Sequence, residues 1–217
     1  MIERTIATGT HGRYLLEPPA SAGPAPMLVG FHGYGEGADV QLERMRRIPG
    51  ADRWLLVSIQ GLHRFYQRRA NEVVASWMTR QDREQAIADN LAYVSAVIGA
   101  VDREYPGGSR LVLTGFSQGV AMMFRAATAS SRPVDGVIAV GGDVPPELDP
   151  AALARVRRAL VCHGARDEWY TAAIFGRDIQ RLREAGVAIR PLEFGGGHEW
   201  SDEVVEAASS FLDERLP

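Results

Sequence analysis

The sequence predicts an α/β fold, a mostly parallel twisted sheet with helices on both faces. Short apolar runs alternate along the chain with longer helical patterns, and strands joined through helices need the crossover connections that go with parallel pairing. The longest helical pattern, residues 82–104, carries Ile87, Leu91, Val94, Ile98 and Val101 at spacings of 4, 3, 4 and 3, the stripe of a helix lying on a core. At 217 residues the chain is expected to form one domain over residues 1–217, since about 100–200 residues per domain is usual.

Taken in order, the strands are expected at residues 2–7 and 14–17, then at 27–31 after a Pro/Ala/Gly loop spanning 18–26. A helix follows at 38–47 and a strand at 54–59. Residues 61–81 show no clear regular structure. After the helix at 82–104, strands at 111–116, 137–140, 159–162 and 189–194 alternate with helices at 118–129, 150–158, 170–185 and 202–214. Ligands of such sheets bind beyond the carboxyl ends of the strands, so functional motifs should stand just after the apolar runs.

All 24 Lys+Arg positions are arginines. A chain without lysine has no Schiff-base amine, no phosphate-cradling P-loop or kinase lysine in the usual form, and no Ser-x-x-Lys pair. The net charge of −3 gives no general pull toward nucleic acid or anionic membranes. Arginine groups at 44, 46 and 47, at 64, 68 and 69, and at 155, 157 and 158 read as solvated faces. Only the middle group is interleaved with aromatics, Phe65 and Tyr66. Cys162 stands alone in an apolar run and is expected buried in a strand. No basic-then-apolar leader and no run of the ~18–20 residues that a membrane span needs is present, so a cytoplasmic setting is expected.

Gly115-Phe116-Ser117-Gln118-Gly119 follows the apolar run 111–114 and opens the helix at Gln118. This is Gly-x-Ser-x-Gly in a strand–turn–helix setting. A turn sharp enough to present the serine brings the residues at −2 and +2 together, where a Cβ does not fit. A nucleophilic serine needs a base. In the chain order Ser, acid, His, two histidines follow Ser117: His163, with Asp143 as its strand-end acid, and His198, with Asp167. His198 sits in the glycine loop Phe194-Gly-Gly-Gly-His198, free to project toward the serine, whereas His163 ends a buried run. Asp167 and His198 are therefore chosen; Asp143 and Glu168 are the lesser acids. Two backbone N–H groups should hold the oxyanion, one from Gln118 and the other from Tyr34 in His32-Gly33-Tyr34-Gly35.

The same stretch also satisfies the dinucleotide fingerprint, Gly33-x-Gly35-x-x-Ala38. The acidic residue that should end the next strand to hold a ribose is missing, because Gln60 stands there. An oxidoreductase is disfavoured on that ground. No His-Glu-x-x-His pattern occurs, so no metal is expected.

Together His32-Gly33-Tyr34-Gly35, Gly115-Phe-Ser-Gln-Gly119, His163-Gly-Ala-Arg-Asp167 and Gly197-His198 resemble the phospholipase/carboxylesterase family of small α/β-hydrolases, which includes bacterial carboxylesterases and acyl-protein thioesterases. The resemblance runs from about Met27 to Leu216. It implies an α/β-hydrolase fold and cofactor-free cleavage of esters or thioesters of small-molecule or acyl-chain substrates. Ser117 would be nucleophile, Asp167 acid and His198 base, with the Tyr34 and Gln118 amides as oxyanion hole. Relatives are often homodimers, though the sequence holds no surface signal for one. Tyr34 replaces the family's usual leucine and Val120 a second glycine; neither change touches the chemistry, whose donors are main-chain groups, while the Tyr34 side chain would narrow or polarise the acyl side of the pocket. Phe65 and Trp77, in the stretch 61–81, are the expected substrate-binding side chains. Trp77 resembles a tryptophan that relatives carry there and is expected to wall the pocket. The arginines 64, 68 and 69 are expected either to meet an anionic substrate or to face solvent. The segment 143–150 is too short for a large cap, so an open groove is expected. The rival reading from another class is a non-catalytic binding module on the same scaffold.

Overall fold

The computed structural model describes residues 1–67, 71–108 and 110–214. Its frame is a seven-stranded sheet built from β1 (Arg13–Glu17), β2 (Met27–Phe31), β3 (Leu55–Gln60), then, beyond a separate hairpin of β4 (His63–Gln67) and β5 (Glu72–Ser76), β6 (Leu111–Phe116), β7 (Gly136–Val140), β8 (Arg158–Gly164) and β9 (Ala188–Phe194). Spatial order is β1-β3-β2-β6-β7-β8-β9. Only β1 runs antiparallel to its neighbour; every other pairing in this sheet is parallel.

Residues within each strand divide between two cores by simple alternation, because successive side chains leave opposite faces of a sheet. Met27, Val29 and Phe31 join Leu111 and Leu113 on one face, while Leu28 and Val112 join the other. The first face is covered by α2 (Arg83–Glu104), α3 (Gln118–Ala129), α4 (Pro150–Leu153) and α5 (Ala172–Glu184), the second by α1 (Ala38–Arg46) and α6 (Asp202–Asp213). The result is three layers, as near-complete burial of parallel strands requires.

Seven expected strands and five expected helices appear within a residue or two of their expected bounds. The departures have local causes. Residues 2–7 are exposed and form no strand. The helix expected at 150–158 stops at Leu153, and Arg158 already pairs with Ala188 at the start of β8. The stretch 61–81 is not irregular throughout. It forms the β4–β5 hairpin, and an isolated bridge from Glu36 to Ala75 ties that hairpin to the loop after β2.

At one margin of the sheet lies β9, mostly exposed, with Arg190, Pro191 and Glu193 along it. Cys162 is buried on β8, and burial pushes its thiol well above the ordinary range.

Candidate active site

The crevice forms where the chain changes direction across the sheet. From β2 the chain proceeds outward to β3, whereas from β6, the neighbour of β2, it proceeds the opposite way to β7. The loops leaving the carboxyl ends of β2 and β6 thus diverge and leave space between them. Ser117 stands at the end of β6 and His32 at the end of β2. Asp167 and His198 come from the loops after β8 and β9.

Ser117 has φ 52° and ψ −123°, a strained conformation for a residue with a Cβ. Its N–H donates to the Val140 carbonyl at 2.9 Å, and its own carbonyl accepts from Val120 N–H at 3.0 Å. The flanking glycines are required by contact. A Cβ on Gly115 would lie 2.9 Å from the Gly119 backbone, and one on Gly119 would lie 2.2 Å from the Phe31 carbonyl oxygen.

His198 Nδ1 lies 2.7 Å from Asp167 Oδ2, and His198 Nε2 lies 2.9 Å from Ser117 Oγ. A carboxylate can only accept, so Nδ1 carries the proton and Nε2 faces the serine as an acceptor. The other oxygen of Asp167, Oδ1, accepts the N–H groups of Trp169 and Tyr170 at 2.8 and 2.9 Å. With both oxygens engaged and the side chain fully buried, the carboxylate has one orientation. Phe116 packs against the His198 ring at 5.0 Å between centroids, and the Arg44 guanidinium covers Phe116 at 4.1 Å.

The loop after β2 is held from several directions. Glu36 Oε2 accepts Gly33 N–H at 2.8 Å, and both Glu36 oxygens take hydrogen bonds from Arg44 at 2.6 and 2.7 Å. Burial pushes the Glu36 carboxyl up, but the Arg44 hydrogen bonds and charge, with Gly33 N–H, outweigh it and hold it below the ordinary carboxylate range. Gly35 N–H donates to Ala75 O, and Ala75 N–H donates to Glu36 O. Among the described residues the amides of Tyr34 and Gln118 have no acceptor.

Beneath the loop, fully buried His32 accepts Gly61 N–H on Nε2 at 2.9 Å and contacts Gly33 O through Nδ1 at 2.7 Å. Nδ1 is therefore the protonated nitrogen. Burial is the main cause that lowers the His32 pKa from its ordinary value.

The structure brings Ser117, His198, Asp167, Tyr34 and Gln118 to one end of the sheet. It does not place Trp77 where the sequence suggested. Trp77 is fully buried, packs on Phe31 and His32, and donates Nε1–H to His32 O at 2.8 Å. It backs the loop rather than walling a pocket, and Gln118 Oε1 anchors it by accepting Trp77 N–H at 2.9 Å. Phe65 lies half-buried on β4 with its ring 5.5 Å from that of Tyr34. Of the arginines expected beside the pocket, Arg64 donates to His11 O, while Arg68 and Arg69 lie outside the described residues. A cavity of about 440 Å³ does open beside Ser117, and the arginines that line it are Arg44 and Arg47, together with Tyr34, Glu36 and Glu199. Apart from Tyr34, sequence reasoning did not place these at the site, although Glu36 stands only three residues beyond Gly33. His163, the rejected base, is buried between Tyr170 and Phe175. Among the described residues no group of three or more His, Cys, Asp or Glu side chains could hold a metal ion, and no helix is long and apolar enough to cross a membrane.

Solved structures of similar fold include esterase PE8, with a TM-score of 0.75 at 21% identity over 95% of this chain and 100% of that one. Zea mays acyl-protein thioesterase 2 gives 0.73 at 18% identity, covering 93% of this chain and 98% of that one. The Bacillus cereus carboxylesterase gives 0.73 at 15% identity, covering 93% of each chain. The phospholipase/carboxylesterase family matches residues 19–216. A mostly parallel sheet with a serine elbow at its direction change and, among the described residues, no large cap, in a chain matched by that family over nearly its whole length, makes this chain a member of the phospholipase/carboxylesterase family of α/β-hydrolases, an ester-bond hydrolase.

Proposed function

We propose that the chain cleaves carboxylic esters or thioesters through a covalent acyl-enzyme on Ser117. The observation that carries this is the unbroken hydrogen-bonded path from Ser117 Oγ to His198 at 2.9 Å and from His198 to Asp167 at 2.7 Å. His198 Nε2 takes the Ser117 proton as Oγ attacks the carbonyl carbon. The amides of Tyr34 and Gln118, free of other acceptors among the described residues, receive the negative charge on the carbonyl oxygen. His198 then delivers the proton to the leaving alcohol or thiol. Water repeats the sequence on the acyl-enzyme, with His198 again as base, and the acid departs. Asp167 keeps the imidazole in the productive tautomer and stabilises the imidazolium.

Hydrolysis of 4-nitrophenyl esters and of an acyl thioester tests this. Replacing Ser117→Ala or His198→Ala should lower kcat by about 10⁶, and Asp167→Asn by about 10⁴. A fluorophosphonate should label the wild type at Ser117. Unchanged turnover in Ser117→Ala, or a serine that the probe leaves unlabelled, would overturn the reading and favour a binding module.

A further inference from the structure

The cavity beside Ser117 carries charge that the hydrolytic mechanism does not use. Four charged side chains line it, namely Glu36, Arg44, Arg47 and Glu199. Glu36 and Arg44 cancel one another through their bidentate pair, and their side chains are only 22% and 15% exposed. Glu199 turns back on its own loop, its Oε1 accepting Gly197 N–H at 2.9 Å.

Arg47 is held differently. Its Nη2 donates to Asp202 Oδ1 at 2.7 Å, but the Asp202 side chain is 90% exposed, and a pair whose carboxylate stands in water is held weakly. The only other acceptor it meets among the described residues is the Trp200 carbonyl, at 3.5 Å from Nη1. A guanidinium has five N–H donors arranged to grip a carboxylate by two of them. Arg47 therefore faces the cavity with donors to give and a counter-ion that a better-placed carboxylate can displace.

We propose that Arg47 makes this cavity an anion-recognising subsite, selecting ester substrates that carry a carboxylate close to the scissile bond. The proposal rests on Ser117 being the nucleophile. The subsite acts by holding the substrate's carboxylate in place of Asp202 while the ester carbonyl lies at Ser117. Glu199, a negative charge in the loop that carries His198, favours a carboxylate seated toward Arg47 and away from that loop.

Two matched ester pairs place the carboxylate on either side of the bond: mono-4-nitrophenyl succinate against 4-nitrophenyl butyrate, and 3-carboxyphenyl acetate against 3-carbamoylphenyl acetate. The quantity read is the ratio of kcat/KM, charged over neutral, within each pair. In at least one pair the wild-type ratio should fall about tenfold in Arg47→Gln, the scale of one charge-assisted hydrogen bond. It should rise in Asp202→Asn, which removes the competing carboxylate from an exposed position, and it should fall as salt is added. A ratio that is the same in wild type, Arg47→Gln and Asp202→Asn for both pairs overturns the subsite alone. Cleavage that survives Ser117→Ala overturns the catalytic reading beneath it.

Discussion

His32 is held neutral by its two backbone contacts, because Nε2 must accept the Gly61 N–H and a protonated ring has no lone pair there. Its lowered pKa has a definite sign for stability. The unfolded chain takes up a proton below pH 6.5, the ordinary value, and the folded chain does not. Stability is therefore full above that pH and falls as the pH drops toward the folded pKa, with a slope of up to one proton. Thermal unfolding between pH 7.5 and 5 should show the wild-type melting temperature falling more steeply than that of His32→Gln; parallel curves would remove His32 as the cause. Ser117, Asp167 and His198 were legible in the sequence because each follows an apolar run in an order that one mechanism requires. Arg47 was not, because its meaning depends on α6 bringing Asp202 and Trp200 alongside it, from more than 150 residues away.

The β4–β5 hairpin shows how an element hides in a sequence. Neither strand has a buried alternating face, β4 being largely exposed, and a lone two-stranded hairpin is marginal in water. Its stability comes from contacts outside itself, above all the paired hydrogen bonds between Ala75 and the loop at Gly35 and Glu36. In an antiparallel strand the N–H and C=O of one residue point to the same side, so those of Ala75 face the loop and leave the ladder to β4 untouched. Ala75→Pro removes one bond to Glu36 O without breaking that ladder. We expect kcat to fall about 10- to 100-fold, below the 10²–10³ of losing an oxyanion donor outright, with a smaller change in KM. Steady-state kinetics beside a thermal melt checks this, and an unchanged kcat would mean that the hairpin does not steady the Tyr34 amide. Trp77 was misread for a related reason: its distance from Ser117 in the fold depends on the hairpin turning it inward beneath His32.

Across the whole molecule the sheet separates two apolar cores, with alternate strand residues on each side and the helices closing each core from outside. That made the layered fold readable from alternating runs, while the hairpin and the short α4 depended on tertiary pairing. Phe211 on α6 anchors the second core at 2% exposure, with the Arg158 guanidinium 4.0 Å from its ring centroid. Phe211→Ala should reduce unfolding free energy by about 3–5 kcal/mol, read from urea denaturation; a loss below about 1 kcal/mol would show that this core collapses to fill the space. The margin at β9 bears on a different matter, the fate of the protein at high concentration. An open sheet edge is a template on which another chain can add a strand. Pro191 has no N–H to offer such a strand, and Arg190 and Glu193 beside it would have to lose water. Those residues disfavour growth of the sheet from copy to copy at this edge, while the inner side of β9 closes the ladder with β8.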